Sequence, residues 1–329
     1  MILSTISAPA QATETQPSNV SSVIQDIVPD IYAQTSPSSE VSISEDLEQQ
    51  EISVHDQGEG IENSEVEISL GNSGERSFQQ DGLRFVASND PNAQQIIQPL
   101  SEGFRILNVS FNELAPKEYS FELKLPAGAY PEMVMGTVRI NRGDEILGSI
   151  KEPWARDANG TLVETYFTVK EFTVTQHLVT NTETLYPVIS DPNWGYVGIW
   201  NLTGSYKVAW ERLHLCFDCY FPVEGAPSHW PKFGQILPLK VGIINMECAM
   251  NYVFTATTYY RWKFIATKNH LDGEGSNIIF DLRVTSTGKS QLVVDAFIKN
   301  DIPLPGGNEA YEIMARLNWY RFATNLNTY

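Results

Sequence analysis

The chain has 329 residues, of which 40 are acidic and 22 basic, for a formal net charge of −18; 42% are hydrophobic and three are cysteine. A chain this long buries a sizeable core without crosslinks, and three cysteines do not make a disulfide framework. No run of 18 apolar residues is present to span a membrane.

The charge is uneven. Residues 1–76 hold fourteen Asp and Glu against the single Arg76, so this arm carries −13 of the −18 and leaves about −5 for the body. It is rich in Ser, Gln, Glu, Pro and Thr and lacks Lys. Such a composition cannot offset the entropy of ordering the chain, and it predicts an arm that is disordered on its own. Its sign excludes RNA binding through phosphate neutralisation. Val20, Val23, Ile24, Ile27 and Ile31 are spaced for one face of a short helix that Pro29 interrupts. Three further segments, 40–44, 51–55 and 65–70, alternate Val or Ile with polar residues and have the pattern of strands that add to another subunit's sheet edge. The first ten residues, MILSTISAPA, have no basic n-region, so no secretory signal is read. A reducing compartment is therefore expected, with the sequons at Asn19, Asn108, Asn159 and Asn201 fortuitous.

From residue 77 the pattern is strand after strand. Asp90 and Pro91 look like the cap and first residue of a helix through Ile97 that stops before Pro99. Phe104 to Phe111 and Glu118 to Leu125 follow as strands, the second with Tyr119, Phe121, Leu123 and Leu125 on one face. Val134 to Ile140 and Glu145 to Ile150 flank Asn141-Arg142-Gly143-Asp144 as a hairpin. Leu162 to Val174 and the long run Ser205 to Phe221 are expected to be strands. So is the stretch Tyr252 to Thr267, whose alternate residues include Tyr252, Phe254, Tyr260, Trp262 and Phe264. That stretch exceeds an ordinary strand, so a bend, bulge or split is expected near its middle. Asn277 to Val284 pairs with Ser290 to Ile298, and Ala310 to Phe322 reads as a last strand. About a dozen strands with almost no helix predict an all-β sandwich, and the long Pro-containing connections favour a jelly roll. The expected domains are an acidic arm, 1–76, and a jelly-roll body, 77–329.

Few residues carry chemistry. Cys216 and Cys219 form a C-x-x-C near His214 and His229. The flanking pattern is strand-like, which would place the two thiols on opposite faces and leave no zinc site. Arg142, Gly143 and Asp144 make the tripeptide that integrin-binding proteins display, here within ordinary turn chemistry. Trp154, Trp194 and Trp230 lie beside prolines and are candidates for subunit-contact or ligand loops. No nucleophile elbow or zinc-helix motif occurs. The chain therefore reads as a non-enzyme with no catalytic residue, cofactor or metal.

The stretch Trp200-Asn201-Leu202-Thr203-Gly204-Ser205 leads into a long predicted run, behind a Ser/Thr/Pro/Gln-rich arm. In layout and in this motif the chain resembles the capsid proteins of picorna-like positive-strand RNA viruses, of insect or plant type. The resemblance implies a structural protein whose jelly roll assembles with copies of itself and sister capsid proteins into an icosahedral shell. Its arm would order on neighbouring subunits, and its location would be the virion, with host cytoplasm during assembly. A host receptor is a further partner the family implies. The Asp-Asp-Phe motif of some insect-virus relatives is absent. The alternative reading is a lectin-like sandwich that binds a glycan or cell-surface receptor through its Pro/Trp loops.

Overall fold

The computed structural model describes residues 17–29, 41–43, 51–55, 65–71, 73–100, 103–195, 197–241, 243–298 and 307–327. The chain begins with helix α1 (Pro17–Ile27) and continues through β1 (Val41–Ile43), β2 (Glu51–His55), β3 (Glu65–Leu70), β4 (Ser73–Gln80), β5 (Leu83–Ser88), β6 (Ala93–Leu100) and β7 (Gly103–Ser110). Next come β8 (Glu118–Lys124), β9 (Ala129–Val134), β10 (Thr137–Arg142), β11 (Glu145–Ile150), β12 (Trp154–Arg156), β13 (Glu164–Lys170), β14 (Thr173–Val179), β15 (Val188–Asp191), β16 (Asn193–Gly195) and β17 (Gly198–Leu202). Two helices, α2 (Tyr206–Leu215) and α3 (Phe217–Tyr220), precede β18 (Ile236–Leu237), β19 (Lys240–Val241), β20 (Ile244–Thr255), β21 (Tyr259–His270), β22 (Asn277–Val284), β23 (Ser290–Phe297) and the closing helix α4 (Gly307–Asn327).

Alternation builds the sandwich. In β8 the apolar residues Tyr119, Phe121 and Leu123 are buried while Glu118, Glu122 and Lys124 are exposed, as the period of two requires. The first sheet runs β1-β2-β3-β8-β14-β13, and the second runs β4-β5-β6-β7-β16-β11-β10-β9 with β12 and β15 attached beside β7. Their facing residues form one apolar core, with Val66, Ile68 and Phe121 from one side and Phe104, Val138 and Ile140 from the other. An all-β sandwich of antiparallel sheets is thus the architecture, as the strand pattern predicts.

The arm–body division at residue 76 falls inside β4. Of the three alternating arm segments, β2 pairs β1 and β3, and β3 pairs β8, so their described residues complete this chain's own sheet. The helix expected from Val20, Ile24 and Ile27 is α1; these residues pack with Leu83, Phe85 and Leu107 on the far side of the second sheet. Ile31 lies outside the described residues.

A third layer was not anticipated. The third sheet, β17-β23-β22-β21-β20-β18, is covered on one face by α2, α3 and α4 around Trp262, Phe264 and Phe280. The run Ser205 to Phe221 is helical, contrary to the strand reading. Ser205 caps α2 by accepting from the Lys207 amide, and Tyr206, Ala209 and Leu213 fall on one buried helical face. Ala310 to Phe322 is likewise part of α4, because Trp319, Phe322, Ala323 and Leu326 repeat at helical spacing against the sheet.

Conversely, the predicted helix 90–97 is a turn followed by strand. Asp90 Oδ1 accepts from the Asn92 amide at 2.8 Å, closing a turn, and β6 then carries Ile96 and Ile97 fully buried on opposite faces. The long aromatic stretch splits as expected. The Ala256 amide donates to the Tyr259 carbonyl, and the two halves become the ends of β20 and β21. Met135 and Gly136, both with positive φ, turn β9 into β10 and divide the run expected from 134 to 140. No helix among the described residues is long and apolar enough to cross a membrane.

Candidate functional site

The residues singled out from sequence separate in space. Arg142 and Asp144 stand at the tip between β10 and β11, where Gly143 supplies a positive φ. Arg142 pairs with Glu145 at 2.8 Å. Asp144 accepts from the Ser286 amide at 2.9 Å and from its hydroxyl at 2.5 Å, and these bonds hold its carboxyl below the usual range. The tripeptide therefore ties the β10–β11 tip to the turn between β22 and β23.

Trp154 and Trp194 are buried, 5% and 4% exposed, the second stacked on Phe104. As ligand or contact loops these two are corrected: their indoles fill cores because β12 and β16 bring them beneath the surface. Trp230 is half-buried and stacks on His214 with ring centroids 4.3 Å apart, over Trp210 and Trp262.

Cys216 and Cys219 are joined as a disulfide, and the expectation of opposed free thiols is corrected. They sit where α2 gives way to α3, and a helical turn places residues three apart on the same side. Asp218 lies close by, but with the sulfurs bonded to each other no thiolate pair remains for a metal. Cys248 is buried and unbonded, its thiol pushed up to about 12 by burial.

What sequence reading did not foresee is an open, apolar rim on the third layer. β18 pairs with β20 only at Ala249 and Cys248, so past Met250 the outer edge of β20 has no strand beside it among the described residues. There Tyr252 and Phe254 point to one side and Val253 to the other, each 38–42% exposed. A strand that is apolar and exposed on both faces is not the pattern of a solvated edge, which natural sheets blunt with charge or proline. Phe233, 78% exposed, belongs to the loop whose Gly234 amide donates to the Met250 carbonyl. On α4, Ile313, Leu317 and Tyr320 form an exposed stripe opposite the buried face. The alternation of Tyr252 and Phe254 was visible in the sequence; that their half of the stretch projects past its neighbours was not.

Comparison with family models, curated proteins and solved structures finds no match to this chain.

Proposed function

We propose that this chain is a structural subunit of an icosahedral shell of viral capsid type, assembled by packing between copies and sister chains. The observation that carries it is the β20 edge, where Tyr252, Val253 and Phe254 expose apolar side chains on both faces and no strand pairs among the described residues. Edge pairing there would satisfy the backbone groups and bury the aromatics together. The α4 stripe provides a second contact surface on the same layer. Subunit contacts are assigned to these surfaces and not to β1, β2 and β3, which pair within the chain. The glycan-binding alternative loses Trp154 and Trp194 to the core and keeps only the Trp230 cluster.

Sedimentation velocity with negative-stain imaging of the full chain tests the proposal, alongside the double variant Tyr252→Lys, Phe254→Lys. The expected result is large closed particles or their arcs for the natural chain and small species for the variant. A natural chain that stays monomeric at every concentration, indistinguishable from the variant, overturns it.

A further inference from the structure

The third layer contains a cavity of about 430 Å³ between α4 and the helix-covered face of its sheet, separate from the sandwich core. Its walls are apolar, with Phe264, Phe297 and Trp319 among them, while His270, Asp272 and Tyr311 make one polar end. A mostly apolar hollow of this size with a few convergent polar groups has the character of a small-molecule site.

The polar end is incompletely satisfied. Asp272 is only 9% exposed, and its Oδ1 has no hydrogen-bond partner. The Tyr311 hydroxyl donates to Met246 Sδ at 3.9 Å, and Tyr311 and Asp272 both line this end. His270 Nδ1 accepts the Asp272 backbone amide at 3.1 Å, which leaves the ring proton on Nε2. Asp272 Oδ1 has no surface open to the cavity, so a ligand meets Asp272, which lines the hollow, through the rest of its carboxyl.

The same groups restrict the ligand. Burial pushes Asp272 up to about 6 and His270 down to about 4, so near neutral pH the imidazole carries no charge to receive an anion. Arg321 also lines the cavity, but it is exposed and ten residues along α4 from Tyr311, about 15 Å away. An anionic head at the Asp272 end would meet a carboxyl and, among the described residues, no cation. A hydroxyl meets an acceptor in the Asp272 carboxyl.

We propose that this cavity binds a slender amphiphile with an uncharged, hydrogen-bond-donating head, a medium-chain alcohol being the simplest, its hydroxyl donating to the Asp272 carboxyl and its chain lying against Phe264 and Trp319. The proposal does not depend on the assembly reading.

The test is calorimetric titration of the full chain near neutral pH with decanol and with decanoate, supported by Trp fluorescence. Two variants accompany it: Asp272→Leu, which removes the acceptor, and Ala315→Phe, which fills the cavity from the half-buried side of α4. Saturable decanol binding is expected, about tenfold tighter than decanoate, and weakened about tenfold by Asp272→Leu, the loss of roughly one hydrogen bond to a buried group. Ala315→Phe should abolish it while leaving the far-ultraviolet dichroism unchanged. No saturable decanol binding, equal affinity for decanoate, or undiminished binding by folded Ala315→Phe protein would overturn the proposal.

Discussion

The second sheet faces two neighbours, and the two interfaces are made of opposite materials. Towards the first sheet it presents Val138, Ile140 and Ile150 to Phe121 and Val174, a dry apolar contact. Towards the third sheet the alternate residues Arg139 and Ser149 of the same strands, with Lys151 just past the end of β11, meet Asp281 and Asp295. Arg139 bonds Asp281 and, at 3.1 Å, Asp295, while Lys151 reaches Asp295 at 2.5 Å and Arg261 reaches Asp281 at 2.5 Å. Lys263 pairs with Glu152 across the same contact. All but Glu152 and Arg261 are nearly inaccessible. One β-strand thus serves a hydrophobic contact through its even residues and an ionic one through its odd residues. The apolar contact stabilises through area removed from water, whereas the ionic contact works only while every charge keeps its partner.

The largest effect should come from the dry side. Phe121→Ala removes a fully buried ring and is expected to lower stability by about 3–5 kcal/mol, by the same amount at pH 7 and pH 5 in denaturant titrations. On the ionic side, Arg139→Met leaves Asp281 with Arg261 and Asp295 with Lys151, so a loss of about 3 kcal/mol is expected, at the low end for breaking a buried pair. Arg139→Lys should restore little, since an ammonium lacks the fork that reaches both carboxylates.

Acid should separate the two interfaces without mutation. Burial alone would raise Asp281 and Asp295. The cations outweigh it, Arg139 first for Asp281 and Lys151 first for Asp295, and both carboxyls lie below their ordinary value. A carboxyl depressed in the folded state contributes its full stability above the unfolded value, about 3.9, and loses it as pH falls further. Thermal unfolding should therefore show the natural chain weakening below about pH 4 and Asp281→Asn, Asp295→Asn protein weakening less over the same range. The smallest effect is at the rim of the ionic contact. Asp144→Ala should cost about 0.5–1 kcal/mol, read as faster amide exchange at Ser286, because the group is exposed and only its bonds to that residue are lost.

The same comparison explains what the sequence disclosed. Tyr119, Phe121 and Leu123 alternate against charged neighbours that face solvent, so β8 was legible, and so was the β22–β23 hairpin. The third layer was not, because Asp281 and Asp295 alternate with Phe280 and Val294 in the way solvated residues do, and sequence does not distinguish a buried charge with a partner from an exposed one. The helices were hidden by their composition. α4 is apolar on two faces, so Tyr311, Ile313, Ala315 and Leu317 imitate a strand, while the helical spacing of Trp319, Phe322, Ala323 and Leu326 carries the true period. The polar end of the cavity was illegible because His270 and Asp272 meet Tyr311 only after α4 folds back onto the sheet. Only their separation along the chain was in view.

Native-state amide exchange between pH 7 and about pH 3, corrected for intrinsic rates, tests most directly whether an ionic contact holds the third layer while an apolar one holds the sandwich. The account predicts that β22 and β23 lose protection below about pH 4 while β8 and β14 retain theirs. Loss of protection in all four strands at the same pH would contradict it.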